Sequence, residues 1–287
     1  MPFTVRVPAS TSNLGAGFDC VGLALDLWLE ARLLQGDGPA TYAGTLAGLA
    51  PDGDLIARTI RSVGLAGPWR LEARSEIPVG KGLGSSGAAV VAGLALAELA
   101  RGAEMNRDVL LERATAIEGH PDNVGPAIYG GLFLASPGGA QLTLSPAVGI
   151  ALAVPDASID THMARARLPR DVTREVAIGQ AGRAAALLQG LTQGRPDLIA
   201  YGMDDQLAVP YRRDMISGFD AAVAAGRAAG AYGVTISGAG SGLLGIGPAR
   251  LADQIATAMA QALTAAGNRA AALRPRVATT GLSVIEG

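Results

Sequence analysis

The 287-residue sequence has little of what several function classes require. Its single cysteine, Cys20, excludes an intrachain disulfide framework and agrees with a reducing compartment. A thiol nucleophile would need a base, and histidine is scarce too, with only His120 and His162 present, so Cys20 is expected to be a small buried residue. Charged residues make up 17% of the chain, and 23 basic residues face 25 acidic ones. There is no basic field for nucleic acid or an anionic membrane, which leaves small metabolites as the expected partners. No uninterrupted apolar stretch is long enough to span a bilayer, and Met1, Pro2, Phe3 and Thr4 do not lead a basic segment into an apolar core. The protein is therefore expected in the cytoplasm. Lysine occurs once, as Lys81, and arginine carries the rest of the positive charge.

What is abundant is apolar residues, at 49% of the chain, enough for a substantial core in about two domains. Phe3, Val5 and Val7 alternate with polar residues, predicting a short strand before Pro8 and a polar loop from Ser10 to Asn13. Leu23, Leu25, Leu27 and Leu29 share one face of a longer strand, as do Leu71, Ala73, Ser75 and Ile77. Helices are predicted over 85–101, 106–117, 173–191, 197–208, 217–229 and 249–266, and strands over 150–154 and 232–236. The division of the chain is placed at 1–155 and 156–287, without a linker to mark it.

The most informative segment runs from Pro78 to Gly87: Pro78, Val79, Gly80, Lys81, Gly82, Leu83, Gly84, Ser85, Ser86, Gly87. It lies between a predicted strand and a predicted helix. Glycines let backbone approach an anion closely, Ser85 and Ser86 can cap the helix, and free amides at a helix start favour phosphate. Gly82, Gly84 and Gly87 also spell a dinucleotide fingerprint, but no second strand ending in an acid follows at the required distance. A Walker loop needs Ser or Thr after its Lys, and Gly82 stands there; HRD and DFG segments are absent. By itself the loop is compatible with a phosphate cradle and with a cap on a tightly packed helix. Lys81 is likewise open to two readings, a phosphate-directed ammonium or an ordinary loop lysine.

Two further motifs flank the loop. One runs from Pro8 through Ser10, Thr11, Ser12, Asn13, Leu14, Gly15, Ala16, Gly17, Phe18 to Asp19; the other is Glu118, Gly119, His120, Pro121, Asp122, Asn123, Val124. With the late turn Ser237 to Gly242, the set resembles the homoserine kinases of the GHMP small-molecule kinase superfamily over nearly the whole chain. That resemblance implies an α+β fold with an amino-terminal domain like ribosomal protein S5 domain 2 and a ferredoxin-like carboxy-terminal domain. It implies an enzyme that uses ATP and Mg²⁺ to phosphorylate the side-chain hydroxyl of L-homoserine in threonine biosynthesis, in a family whose members are commonly homodimers.

Carried over by position, the resemblance implies that the loop from Pro78 to Ser86 wraps the ATP phosphates, and that Glu118 and a loop serine hold Mg²⁺. Ser86 is the first choice and Ser85 the second. One carboxylate and one hydroxyl are a sufficient protein share for Mg²⁺, which keeps water and phosphate as its other ligands. Asp122 is implied to orient the acceptor hydroxyl and receive its proton late, because a loose phosphoryl-transfer transition state relies on positioning and charge. Arg165, within the segment from Thr161 to Pro169, and Arg212 are implied to grip the substrate carboxylate. Asn13, Asp19, His120, Asn123 and Thr161 are implied to complete the acceptor pocket. The chain departs from the family pattern at Ala16, where proline is common, and in lacking a proline after the late glycine turn. The rival expectations are a related kinase for another small alcohol, of mevalonate or shikimate type, and a ligand-binding regulator without catalysis.

Overall fold

The computed structural model describes residues 3–48, 54–65, 67–136 and 138–286. Its strands, in chain order, are β1 (Phe3–Asn13), β2 (Gly17–Gln35), β3 (Thr41–Gly44), β4 (Trp69–Ser75), β5 (Leu132–Leu134), β6 (Ala140–Leu142), β7 (Val148–Pro155), β8 (Gly233–Ile236), β9 (Leu243–Pro248), β10 (Ala270–Leu273) and β11 (Ser283–Glu286). Its helices are α1 (Leu55–Ser62), α2 (Ser85–Ala100), α3 (Arg107–Glu118), α4 (Pro121–Tyr129), α5 (Thr161–Ala166), α6 (Arg174–Gln193), α7 (Pro196–Gly202), α8 (Val209–Arg212), α9 (Phe219–Ala228) and α10 (Ala252–Ala265). Among the described residues no helix is long and apolar enough to cross a membrane.

Two sheets result. A seven-stranded sheet has the path β11-β1-β2-β4-β3, with β5 on β2 and β6 on β5; a four-stranded antiparallel sheet has the order β10-β7-β9-β8. The second sheet, with helices between β7 and β8 and between β9 and β10, has the βαββαβ order of a ferredoxin-like unit. Sheet membership therefore changes between residues 142 and 148, one strand before the expected division after 155, and β11 returns the chain end to the first sheet. The core is continuous across the two sheets because β7 has two apolar faces. Val148, Ile150, Leu152 and Val154 join the main cluster, whereas Ala151 and Ala153 join a smaller one with Ile255 and Met259.

Strand β1 runs on through Asn13, where a polar loop was expected. Pro8 cannot donate a ladder bond, but the register shifts between Pro8 and Ala9, and a bulge there accommodates it. Ser10, Thr11 and Ser12 are buried because their hydroxyls find partners across the fold. A second shift, between Ser12 and Asn13, leaves 18–21 outside the pairing with β1. Cys20 lies in that stretch and is exposed, not buried as expected. The helix expected over 197–208 stops at Gly202, since the Asp205 carboxylate takes the amides of Leu207, Ala208 and Val209 at 3.0, 2.8 and 2.7 Å and starts α8 afresh. Helix α2 is apolar on nearly every side, with Val90, Val91, Leu94 and Ala95 fully buried, so its first turn is held rigidly under the glycine loop.

Candidate active site

The glycine loop follows β4 and ends at Gly84, the N-cap of α2. Gly80, Gly82 and Gly84 have φ of +71°, +70° and +68°, a conformation that L side chains rarely adopt. A Cβ at Gly82 would also overlap the Ser237 carbonyl, and one at Gly84 the Ser10 hydroxyl. Ser85 and Ser86 do not cap the helix as expected, because both already lie inside it. The first internal bond of α2 runs from the Ala88 amide to the Gly84 carbonyl, at 2.9 Å. The amides before it lack helical partners and point out of the helix start, where the macrodipole is positive.

Opposite stands the junction of α3 and α4. Glu118 ends α3 and Gly119 turns the chain with φ +90°. His120 then precedes Pro121, a proline suited to a first helical position, and Asp122 falls in the first turn of α4. The Ser86 hydroxyl donates to the Glu118 carboxylate at 2.9 Å. Burial pushes the Glu118 carboxyl above its usual range despite that bond. Asp122 is 1% exposed, and its carboxylate lies 2.9 Å from His120 Nδ1. That bond, more than any other influence, raises the His120 pKa. Asn123 spends its amide on β1, accepting from Ser10 at 3.0 Å and donating to Ser12 at 3.1 Å, and thereby locks α4 in place.

The third wall brings in the second half of the chain. Asn13 and Asp19 both have positive φ, +72° and +53°. Asn13 donates to the Gly238 carbonyl and accepts from the Asp19 amide, each at 3.0 Å. Arg165, in the last turn of α5, forms a two-point pair with the Asp19 carboxylate at 3.1 and 2.9 Å. Arg212 is 3% exposed, lies over the Phe18 ring and donates to the Ala164 carbonyl at 3.0 Å. Among the described residues no carboxylate lies within ion-pair distance of it. A buried guanidinium bonded only to carbonyls retains charge and donors for an anion.

Asn13, Asp19, His120, Asp122, Asn123, Thr161, Arg165 and Arg212 line one cleft together with Gly80, Gly82, Leu83, Gly84, Ser85, Ser86 and Glu118. Pro78, Val79 and Lys81 do not line it. The Lys81 ammonium turns away from the cleft, to the Asp156 carbonyl at 2.6 Å, the Ala157 carbonyl at 3.0 Å and the Ser158 hydroxyl at 2.9 Å. The sequence left Lys81 open between a phosphate-directed ammonium and an ordinary loop lysine, and here its donors go to groups that directly follow β7. Phe18, Ser12, Gly238 and Ala239 also line the cleft. All four lie inside motifs visible in the sequence, without a residue type that singles them out.

A second, mainly apolar cavity shares Gly80, Ser85 and Ser86 with the cleft. Tyr42, Leu46, Leu55, Val79 and Ala89 line it. Asp54 closes one end, capping α1 through the Ala57 amide at 2.9 Å and accepting the Tyr42 hydroxyl. Burial and that hydrogen bond push the Tyr42 phenol well above its usual pKa. Apart from Val79 in the glycine loop, no motif marks these residues, which come from β3 and the turn after it, α1 and α2.

Glu118 and Ser86 are hard oxygen donors already in contact, and Glu118 is a half-buried carboxylate without a paired cation among the described residues. This donor set fits a magnesium ion that is completed by water and phosphate.

Residues 54–131 match the GHMP kinases N terminal domain, and residues 184–265 the GHMP kinases C terminal domain. The homoserine kinase of Synechocystis sp. is 40% identical over 92% of each chain, and that of Moorella thermoacetica is 39% identical over 82% of this chain and 84% of its own. The crystal structure of homoserine kinase from Cytophaga hutchinsonii superimposes with a TM-score of 0.85 at 28% identity, covering 99% of this chain and 97% of that one. The chain is therefore an α+β kinase of two GHMP domains and belongs to the homoserine kinase family.

Proposed function

We propose that this protein transfers the γ-phosphoryl group of ATP to the side-chain hydroxyl of L-homoserine, yielding ADP and O-phospho-L-homoserine for threonine synthesis. One observation carries the reading. The buried Asp122 carboxylate shares a cleft with an amide-lined helix start on one side and with Asp19, Arg165 and Arg212 on the other. The acceptor must then be a small alcohol bearing both an ammonium and a carboxylate. Asp19 suits the ammonium, and Arg165 and Arg212 suit the carboxylate.

The apolar cavity beside the loop takes the adenine base, and the shared residues Gly80, Ser85 and Ser86 lie where base-side and acceptor-side space meet. The loop amides and the start of α2 hold the phosphates. Ser86 and Glu118 would hold Mg²⁺, which supplies charge neutralisation at the phosphate oxygens when bound. In transfer, the acceptor oxygen forms a bond to the γ-phosphorus and the bond from that phosphorus to the bridging oxygen of ADP breaks. Asp122 orients the hydroxyl and receives its proton as the new bond forms. His120 holds the Asp122 carboxylate in place through Nδ1.

A coupled assay of ADP release tests this, with L-homoserine, mevalonate and shikimate as acceptors. The expected result is turnover with L-homoserine and little with the other two. A preference for an acceptor without an amino group rejects the substrate assignment, and L-homoserine binding without ADP release rejects catalysis.

A further inference from the structure

We infer that Lys81 is a positioning residue that ties the glycine loop to the segment leading into α5, and so couples the nucleotide half of the cleft to the acceptor half. What each half holds rests on the proposed function; the coupling rests on geometry alone.

Lys81 uses all three of its ammonium donors on consecutive residues, the carbonyls of Asp156 and Ala157 and the hydroxyl of Ser158. These residues follow β7 directly. Two positions beyond Ser158, Asp160 caps α5 through the Met163 amide at 2.9 Å, and the last turn of α5 carries Arg165 in its pair with Asp19. The path from the loop to the acceptor-side guanidinium is thus one side chain and a few residues of ordered backbone. Three more bonds brace the junction from the late glycine turn. The Gly242 amide donates to the Lys81 carbonyl at 3.1 Å, Ser237 donates to the Gly82 carbonyl at 2.7 Å, and Ser241 donates to the Ala157 carbonyl.

A phosphate role for the same ammonium would leave the Asp156 and Ala157 carbonyls without this partner. Moving it into the cleft would therefore remove three of the bonds that hold the segment before α5 at the moment when Arg165 must be held.

The test uses full-length Lys81→Met, Lys81→Arg and Ser158→Ala variants. Amide hydrogen exchange is measured on the unliganded proteins, and calorimetry measures L-homoserine binding in the absence of nucleotide and, separately, ATP binding. Loss of a charge-assisted anchor should speed exchange across 156–166 roughly tenfold in Lys81→Met. It should also weaken nucleotide-free L-homoserine binding about 5- to 10-fold, with partial recovery in Lys81→Arg. Ser158→Ala, which removes only one acceptor, should give a smaller effect of the same kind and serves if Lys81→Met does not fold. Unchanged exchange over 156–166 and unchanged nucleotide-free affinity, with only ATP binding weakened, would overturn the inference and make Lys81 a phosphate ligand. Because exchange is read without ligands, wild-type protein that binds no L-homoserine would count against the proposed function and not against the coupling.

Discussion

Asp19 and Arg165 meet as a two-point ion pair, Nη1 to Oδ2 at 3.1 Å and Nη2 to Oδ1 at 2.9 Å, although 146 positions separate them in the chain. Each is about one-third exposed, so water screens the pair and it adds little to stability. Its value is in spacing. An acid and a guanidinium held face to face present the complement of a zwitterion, and a ligand with both charges can exchange one partner on each side. Arg212, buried nearby and without an ion-paired acid among the described residues, is the second guanidinium proposed for the carboxylate.

Asp19→Asn keeps the shape and removes the charge. Its KM for L-homoserine should rise roughly 10- to 100-fold, corresponding to ~1.4–2.8 kcal/mol, with the KM for ATP little changed. An unchanged KM for L-homoserine in steady-state kinetics would remove Asp19 from the ammonium site.

Asp122→Asn can still orient a hydroxyl but accepts no proton. With Asp122 at 1% exposure, solvent is a poor substitute, and kcat should fall roughly 100- to 10,000-fold with KM for ATP nearly constant. Near-full kcat in this variant would end the proton-acceptor role.

Glu118→Gln removes the carboxylate proposed to hold the cation. The Mg²⁺ concentration for half-maximal rate should rise at least about tenfold, and the Ser86 hydroxyl alone cannot restore it. A titration curve that overlays the wild type would take Glu118 out of the metal site.

Gly84→Ala asks for a side chain at φ +68° in a space that the Ser10 hydroxyl fills. The left-handed conformation alone costs ~1–2 kcal/mol, and relief of the overlap adds to it. Thermal unfolding should show a lowered midpoint, and ATP affinity should fall with it. A variant as stable as the wild type would mean that the loop and β1 can part without cost.

Much of this site was legible along the chain, but unevenly. Loop, motif and helix positions follow local rules. Alternating apolar residues marked β2 and β4, helical spacing marked α2 and α3, and the residues around Asn13, Gly80 and Asp122 stood out as motifs whose members do converge on one cleft. The failures cluster where a distant group decides the outcome. Ser10 to Ser12 read as a loop because the hydroxyl partners on Asn123 and Ser237 lie more than a hundred residues away. The helix after Pro196 read too long because Asp205 diverts the next amides. Cys20 read as buried because nothing local announces the second register shift in β1.

What the sequence determined by itself is therefore most of the longer helices and strands, since period and glycine placement act over one or two turns of chain, while the family of chemistry was legible through the resemblance of its three motifs to the homoserine kinases. Only the tertiary structure decided which way each polar side chain faces. Lys81 turns from the cleft because two carbonyls after β7 are brought within its reach, and Tyr42, Leu46 and Ala89 enclose a cavity because strands and helices remote in sequence pack side by side. The physical reason is the same in each case: a hydrogen-bond donor or an apolar surface takes its partner from what folding places beside it, and chain order carries no record of that neighbour.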